Sequence, residues 1–195
     1  MSYQYDIFLS YPRAGATGEW VRNHFRPVLE ECLDLEMPVP PAIWYDEDQR
    51  PGVNWPLNLQ QALLHSRLLV AVWSPPYFRS QWCVGEWQSM LARQRALGLS
   101  TVQNPLGLVY PVVFADGIHF PQEARDIQSR RDLSIWGIPF PQFRKTTAYQ
   151  EFWTRMREVA AEIAAHLSMV PPWSPGWPVL SPPIPTAPHV PLPRL

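Results

Sequence analysis

The chain of 195 residues is long enough for one ordinary hydrophobic core with an appendage, and with 46% hydrophobic and 17% charged residues it has the composition of a globular protein. Its formal net charge of -1 gives no electrostatic reason to expect nucleic acid as a partner, because nucleic-acid-binding surfaces usually carry a basic stripe. No apolar run approaches the roughly 20 residues that a membrane-spanning helix needs, so no membrane partner is predicted.

Short apolar runs that predict β-strands recur along the chain as far as about residue 170. Residues 5–10 alternate apolar and polar and then meet Pro12, as a strand ending in a loop would. The runs 42–45, 68–73 and 108–114 are nearly continuous, which is typical of strands covered on both faces. Pro111 interrupts the last of these, which a strand tolerates near a sheet edge or at a bulge. Residues 133–136 are a weaker candidate for a fifth strand.

Amphipathic stretches between these runs predict helices. Residues 20–35 place an apolar stripe on one face, and Pro27 should kink this helix or delay its start. Asn54 caps a helix that is predicted to run to about residue 66, and Ser80 caps one that runs to about residue 97. Thr147 is the predicted cap of the last helix, whose buried face should comprise Phe152, Met156, Val159, Ala160, Ile163 and Leu167.

The alternation of strands and helices predicts an α/β protein with a parallel sheet and helices on both faces. Five strands favour the flavodoxin-like order 2-1-3-4-5, in which ligands bind beyond the carboxyl ends of strands 1 and 3. This topology points to Ser10, Tyr11 and the following loop, and to the segment from Ser74 through the helix capped by Ser80.

Residues 171–195 differ sharply from the rest because proline recurs throughout them. Proline lacks a backbone donor and favours extended polyproline II, so we expect no helix or central strand here. We predict a tail outside the fold of residues 1–170. Such a tail could be an inert disordered end, or a docking segment, since Trp173 and Trp177 are costly to leave in water.

The helix capped by Ser80 carries the most informative side chains. Cys83, Trp87 and Met90 share a face that suits the core, so Cys83 is expected to pack and not to act as a nucleophile. Trp82 and Glu86 are four residues apart and share the neighbouring face, where an indole and a carboxylate could meet a base and a sugar. The alternative is that Trp82 belongs to the core and that Glu86 is a solvated residue, paired with Arg93 or Arg79.

Residues 45–54 form a second polar stretch, which follows the second strand. Three consecutive acids at 46–48 could suggest a site for a hard cation, but their spacing does not match a calcium loop. Arg50, Pro51 and Gly52 predict a tight turn. A solvated loop is one interpretation, and a lid or contact surface beside the crevice is the other.

Several catalytic motifs are absent from the sequence. It contains no nucleophile elbow, no Walker phosphate loop, no zinc-binding H-E-x-x-H and no dinucleotide-binding glycine motif. The histidines show no metal-ligand spacing, and Cys32 and Cys83 are too few and too far apart for a zinc site or a disulfide framework. We therefore predict no bound metal or cofactor. Two reduced thiols and the lack of a secretory signal favour a cytoplasmic protein.

Taken in order, four segments of the chain resemble the Toll/interleukin-1 receptor (TIR) family. Residues 5–11 (Tyr-Asp-Ile-Phe-Leu-Ser-Tyr) resemble its first box, residues 46–52 its second box or BB loop, and residues 151–153 its third. Residues 80–86 resemble the serine–tryptophan–cysteine–glutamate stretch of the members that cleave NAD⁺. The resemblance covers roughly residues 3–168, and four motifs in order are more specific than any one.

Two kinds of activity are implied by this resemblance. Some members are adaptors that only assemble, and others, including bacterial and plant immune proteins, hydrolyse or cyclise NAD⁺. Glu86 in the matching position favours the enzymes and implies an NAD⁺ nucleosidase of the bacterial type in immune or stress defence. The alternatives are a non-catalytic interaction module, or a sensor that binds a nucleotide without cleaving it.

The resemblance also implies roles for individual residues and the partners of the chain. Glu86 would be the catalytic carboxylate, and Asp48 and the BB-loop residues Arg50, Pro51 and Gly52 would belong to a loop that moves before the substrate enters. NAD⁺ would be the substrate and not a cofactor. Self-association through TIR–TIR contacts, and a separate sensor or effector protein, would be the protein partners. The substrate-binding residues would be Trp82, Ser10, Tyr11, Arg13, Ser74 and Asp48.

Overall fold

The computed structural model describes residues 2–45, 55–115, 118, 120–127 and 131–180. Five strands form one sheet in the order β2-β1-β3-β4-β5, and every neighbouring pair is parallel. This confirms the predicted fold class and strand order. The strands are β1 (Tyr5–Ser10), β2 (Ile43–Trp44), β3 (Ser66–Trp73), β4 (Val109–Val113) and β5 (Arg131–Asp132).

Seven α-helices of the described residues lie around this sheet, and each face of the sheet carries its own buried apolar cluster. Ile7 and Leu9 belong to the cluster that includes the side chains of α2 and α7, whereas Phe8 belongs to the one on the side of α3 and α5. The helices are α1 (Gly15–Trp20), α2 (Arg26–Glu36), α3 (Trp55–Leu64), α4 (Pro75–Arg79), α5 (Gln81–Ala96), α6 (Gln122–Arg125) and α7 (Thr147–Met169).

The first helical region begins earlier than predicted, at Gly15, and contains a π-helical turn over Val21–Phe25 before α2 starts. Pro27 explains this widening. Its nitrogen carries no hydrogen to donate to the carbonyl of residue 23, and its ring would clash with that carbonyl in a regular helix. The carbonyl of Asn23 instead accepts a hydrogen bond from Nε of Arg144 at 3.2 Å. Pro27 was expected to kink this helix or delay its start, and its observed effect is local widening.

The fifth strand was predicted at residues 133–136, and this prediction is wrong. β5 ends at Asp132, and Ser134–Trp136 forms a 3₁₀ turn. The carboxylate of Asp132 accepts from the backbone N–H of Ser134 at 2.9 Å, which favours a turn at this point.

Pro111 lies inside β4, where it pairs with Ala71 of β3. The N–H of Phe114 donates to the carbonyl of Trp73 on β3, whereas the carbonyl of Val113 accepts from the N–H of Leu133 on the other side of the strand. Because the backbone groups of successive residues alternate between the two sides of a strand, those of residue 111 point to the same side as those of Val113, toward β5. Between the described residues, pairing with β5 begins only at Val112. The missing N–H of proline therefore costs no hydrogen bond between the described strands.

Caps of the later helices were predicted from serine and threonine. Ser80 caps α5 as expected, since its Oγ accepts from the N–H of Cys83 at 3.3 Å. The last helix is capped by Thr146 and not by Thr147, because Thr146 has the extended backbone of an N-cap and its Oγ1 accepts from Tyr149 at 3.3 Å. Asn54 lies outside the described residues. The predicted buried face of α7 is confirmed at all six positions, Phe152, Met156, Val159, Ala160, Ile163 and Leu167.

The C-terminal segment had been predicted to lie outside the fold. Its first ten residues, 171–180, lie against the fold, where Trp177 is buried. Residues 181–195 lie outside the described part of the chain, and the domain boundary at residue 170 stays a prediction. None of the described helices is both long enough and apolar enough to cross a membrane.

Candidate functional site

A buried carboxylate lies where the winding direction of the sheet reverses, beyond the carboxyl ends of β1 and β3. Glu86 projects from α5 and is only 7% exposed. Ser10, the last residue of β1, donates its hydroxyl hydrogen to Oε2 of Glu86 at 2.5 Å. The alternative in which Glu86 is a solvated surface residue is therefore wrong.

The position of Glu86 follows from the way α5 is fixed in the core. Ser80 starts the helix, and Cys83, Trp87 and Met90 are buried on the face turned to the sheet. The Trp87 ring meets the ring of Trp73 on β3 nearly edge-on, with centroids 5.8 Å apart. Because Cys83, Trp87 and Met90 hold one face of α5 against the sheet, the adjacent face, which carries Glu86, is turned toward the end of β1.

Tyr77 extends the contact between Ser10 and Glu86 into a chain of two hydroxyl groups. Its hydroxyl lies 3.0 Å from Oγ of Ser10. Since Ser10 donates its single hydrogen to the carboxylate, Tyr77 is the donor of this second bond. Burial, together with the nearby Cys83 and Glu86, raises the pKa of Tyr77 well above its ordinary value of 10.0, so it stays a neutral donor.

A small cavity of about 80 Å³ opens in front of Glu86. Among the described residues around it, only Arg13 and Glu86 carry a charge, and they have opposite signs. A dinucleotide does not fit into this volume, because pockets for drug-sized ligands typically measure about 300–1,000 Å³. The described lining consists of Phe8, Leu9, Tyr11, Pro12, Arg13, Trp44, Ser80, Trp82, Cys83 and Glu86.

Two tryptophans form much of the aromatic wall. Trp44, on the edge strand β2, stacks on Phe8 with ring centroids 4.4 Å apart and planes inclined by 24°. Trp82 is half-buried one helical turn before Glu86 and packs against the apolar cluster on this side of the sheet. Such rings can stack on a base or on a cationic pyridinium ring.

The loop after β1 forms the opposite wall and is packed tightly onto α1. A Cβ atom at Gly18 would lie 2.0 Å from the carbonyl oxygen of Arg13, so only glycine permits this approach. The same carbonyl accepts a hydrogen bond from Arg22 at 2.9 Å. The backbone that carries Tyr11 and Arg13 is thus held at a fixed distance from the cavity.

Cys83 lines the cavity, yet its chemistry is that of a packing residue. Its side chain is 4% exposed. Burial, followed by the nearby carboxylate of Glu86, raises the pKa of its thiol far above the ordinary value. The thiol therefore stays protonated at neutral pH and is not an activated nucleophile.

The structure brings only part of the predicted site together. Tyr11, Arg13, Trp82 and Glu86 line the cavity, whereas Ser10 lies behind the carboxylate and is not part of the described lining. Ser74 is buried and accepts a hydrogen bond from Thr17 at 3.1 Å, away from this lining. The other predicted site residues, Asp48, Arg50, Pro51 and Gly52, lie outside the described residues.

Arg93, which the sequence offered as a partner of Glu86, has a different role. Its guanidinium group donates to the carbonyls of Ser66 at 2.8 Å and Leu63 at 2.9 Å, at the end of α3 and the start of β3. Burial lowers its pKa to about 10, so it remains charged at neutral pH. It joins two elements and does not neutralise Glu86.

Three residues of the site were not named as functional candidates, although Tyr77 and Ser80 lie in the segment to which the topology pointed. Tyr77 sits on the short helix α4 directly after β3, and Trp44 had been interpreted only as part of a strand. Ser80 had been interpreted only as a helix cap, although it also lines the cavity. The position of Tyr77 just beyond the carboxyl end of a central strand was the signal that could have identified it. In the described part of the chain, no group of three His, Cys, Asp or Glu side chains could hold a metal ion.

The sheet order defines a flavodoxin-like α/β domain, and the cavity lies at the point where its winding direction reverses. Residues 7–134 match the family model described as TIR domain. The chain therefore belongs to the TIR domain family.

The chain is also similar to two solved structures. The TIR domain of the Toll-related receptor TRR-2 from Hydra magnipapillata is 17% identical, with a TM-score of 0.48, and the match covers 79% of this chain and 99% of that one. The TIR domains of the activated Roq1 resistosome, which recognises the effector XopQ, are 21% identical, with a TM-score of 0.44 and coverage of 83% and 84%. No curated protein matches this chain.

Proposed function

We propose that this TIR domain is an NAD⁺ nucleosidase, which cleaves the bond between nicotinamide and ribose with Glu86 as its catalytic carboxylate. The observation that carries the proposal is the buried Glu86, held by Ser10 at 2.5 Å and facing an aromatic-walled cavity at the switch point of the sheet. A carboxylate is rarely buried without a reason, because removing its charge from water is costly.

One carboxylate is sufficient for this reaction. Glycosidases need a general acid, because their leaving group is a poor alkoxide. In NAD⁺, the electron pair of the broken C1′–N1 bond neutralises the pyridinium ring, and nicotinamide leaves as a neutral molecule without a proton. Glu86 would hydrogen-bond the ribose hydroxyls and stabilise the positive charge that develops on the sugar.

The second half of the reaction decides the product. Attack of water on C1′ gives linear ADP-ribose and releases one proton, whereas attack of a ring nitrogen of the adenine gives a cyclic isomer. Trp44 and Trp82 would stack on the nicotinamide or adenine ring, and Arg13 would meet a phosphate oxygen. The present cavity of about 80 Å³ has room for only part of the dinucleotide, so the site must widen.

The biological setting that we propose is immune or stress defence in a bacterial cytoplasm. Depletion of NAD⁺ would be the effect, and assembly of several chains through TIR–TIR contacts would be the trigger. A separate sensor or effector protein would promote the assembly. Arg50, Pro51 and Gly52 of the BB loop would make or regulate these contacts.

The test is the variant Glu86→Gln, which keeps the shape of the side chain and removes its charge. Concentrated protein is incubated with NAD⁺, and nicotinamide and the ADP-ribose isomers are resolved by chromatography. We expect wild-type protein to release nicotinamide and Glu86→Gln to lose at least about a hundredfold in rate, the size of effect seen on removing an electrostatic stabiliser. The matched control is Glu158→Gln, which changes an exposed carboxylate on α7 and should keep full activity.

Full turnover by a folded Glu86→Gln protein would disprove the role of this carboxylate. The second candidate function, a non-catalytic interaction module, is favoured by the small volume of the cavity. It predicts no loss of NAD⁺ by wild-type protein even at high concentration, while Arg50 or Pro51 substitutions still abolish partner binding.

A further inference from the structure

The C-terminal segment 171–180, which we term the C-terminal strap, contacts the helix that carries Glu86. The strap begins at the edge of the fold, where the hydroxyl of Tyr3 donates to the carbonyl of Pro171 at 2.9 Å. Trp173 then stacks flat on the ring of His65, with centroids 5.2 Å apart and planes inclined by 5°. Its indole N–H donates to the carbonyl of Leu64 at 3.3 Å, at the end of α3.

Further along the strap, Trp177 covers Arg93 of α5. The centre of the guanidinium group lies 4.3 Å from the centroid of the Trp177 ring, a cation–π contact in which the indole shields the charge from water. Trp177 is only 9% exposed, and Arg93 is fully buried. The strap therefore completes the packing around an arginine that joins α5 to the end of α3.

Ser89 gives the strap a second contact on α5. The backbone N–H of Leu180 donates to Oγ of Ser89 at 2.8 Å. The same hydroxyl donates its hydrogen to the carbonyl of Gly85 at 2.7 Å, the residue directly before Glu86. The hydroxyl of Ser89 thus connects the strap to the helical turn that bears the carboxylate.

Glu86, Ser89 and Arg93 follow each other at intervals of three and four residues, so they lie along one face of α5. The strap runs along this face from Arg93 to Ser89, and Glu86 is the next residue in the same direction. On the adjacent face of α5, the core residues Trp87 and Met90 hold the helix against the sheet. The helix is therefore held on two adjacent faces, by the core on one and by the strap on the other, and the strap adds a second constraint on the rotation of α5 about its axis.

We infer that Ser89, Arg93 and Trp177 are positioning residues, through which the C-terminal strap keeps α5 in the rotation that places the carboxylate of Glu86 on Ser10 and in the cavity. The catalytic part of this inference, an effect on turnover, rests on the proposed function, whereas its structural part, the position of α5, does not. None of the three residues lines the described cavity, so they act through Glu86 and not on the substrate.

The experiment uses the full chain and the variant Trp177→Ala, which removes the cover of Arg93. Small displacements of a catalytic group reduce turnover by about ten- to a hundredfold, whereas substrate contacts made elsewhere are kept. We expect kcat for NAD⁺ cleavage to fall about tenfold or more and KM to stay within about twofold. Trp177→Phe keeps an aromatic face on the guanidinium group and should recover at least half of the lost rate.

Two further variants separate positioning from general stability. Ser89→Ala removes the acceptor of the Leu180 N–H without removing a core ring, and it should lower kcat in the same direction by a smaller factor. Trp153→Ala is the matched control, because Trp153 also lies near an arginine, Arg157 at 5.7 Å, but on α7 and away from the strap. It should leave both kinetic constants unchanged.

A second measurement does not depend on activity. Amide hydrogen exchange of the ligand-free chain should become faster in α5 of Trp177→Ala, while α7 keeps its protection. Unchanged kcat together with unchanged exchange in α5 would overturn the inference, as would an equal loss of protection in α5 and α7. If wild-type protein does not cleave NAD⁺, the proposed function fails, and the exchange measurement alone decides whether the strap holds α5.

Discussion

The carboxylate of Glu86 is held by a chain of two hydroxyl groups that come from distant parts of the sequence. Ser10 donates to Glu86 at 2.5 Å, and Tyr77 lies 3.0 Å from Ser10. The hydroxyl of Tyr77 does not reach the carboxylate in the described bonds, so it acts through Ser10. This order of contacts has a kinetic consequence that can be measured.

We predict that Ser10→Ala lowers the rate of NAD⁺ cleavage more than Tyr77→Phe does. A hydrogen bond to a charged group contributes about 1.5–3 kcal/mol, which corresponds to tenfold or more in rate, whereas a neutral bond contributes about 1 kcal/mol, or about fivefold. Because Tyr77 acts through Ser10, the double variant should be no slower than Ser10→Ala alone. Steady-state kinetics of the four proteins, with melting temperatures as a check of folding, test this order, and losses that multiply would contradict it.

The sequence identified Glu86 as the candidate carboxylate, but it did not identify the groups that hold it. Helical spacing and the predicted topology were enough to place residues 80–86 beside the crevice. The partners of a buried side chain depend on packing between segments 67 or 76 positions apart, and no local pattern records such a contact. For the same reason Ser74, predicted as a ligand contact, lies against Thr17 instead.

At the scale of elements, β5 is one of the two shortest strands of the described sheet. It has two residues, and its side chain Arg131 forms a bidentate ion pair with Glu162 of α7, with Nε 2.6 Å from Oε2. Tyr110 of β4 donates its hydroxyl to the same carboxylate at 2.5 Å. Burial, followed by its bond to Glu162, raises the pKa of Tyr110, so it remains a donor at neutral pH. One carboxylate thus joins β4, β5 and α7.

We predict that Glu162→Gln lowers the free energy of unfolding by about 1 kcal/mol, a value reduced for the partial exposure of the pair. The side chains of Arg131 and Glu162 are each 36% exposed, so water replaces part of what is lost. Urea unfolding monitored by circular dichroism gives the measurement. Glu158→Gln, which breaks the exposed pair with Arg155, is the control and should change stability by less than about 0.5 kcal/mol. Equal changes in the free energy of unfolding of the two variants would show that Glu162 stabilises the fold no more than an exposed charge does.

The elements themselves were largely predictable, and the exceptions share a physical cause. Long apolar runs predicted four of the strands, and the apolar stripe of α7 predicted the last helix, because burial imposes a period on the sequence. β5 was misplaced since two residues are too few to show a period. The strap was expected outside the fold, because proline rules out helix and strand but does not prevent Trp173 and Trp177 from packing.

At the scale of the whole molecule, the cavity in front of Glu86 is small for the substrate that we propose. Its volume of about 80 Å³ is several times smaller than that of a typical ligand pocket. The chain continues from Trp44 in the cavity wall toward the BB loop, which begins two residues later in the sequence. We expect a movement that widens the cavity to involve this loop or Trp82.

We predict that NAD⁺ cleavage requires assembly, with the BB loop of one chain acting on the cavity of another. The specific activity should then rise with protein concentration or on addition of a crowding agent, and sedimentation should show larger species under the same conditions. Arg50→Ala should lower both the specific activity and the amount of the larger species, whereas Glu86→Gln should assemble normally and remain inactive. Constant specific activity over a hundredfold range of concentration, in a protein that stays monomeric, would contradict the prediction.

A mixing experiment tests whether the loop acts between chains. Arg50→Ala protein keeps the carboxylate of Glu86 and lacks a functional loop, whereas Glu86→Gln protein keeps the loop and lacks the carboxylate. If one chain's loop opens its neighbour's cavity, the two inactive proteins should regain part of the wild-type rate when mixed, because each supplies what the other lacks. A mixture that forms the larger species and is still as inactive as its components would show that the loop serves only its own chain, since then no molecule in the mixture has both parts.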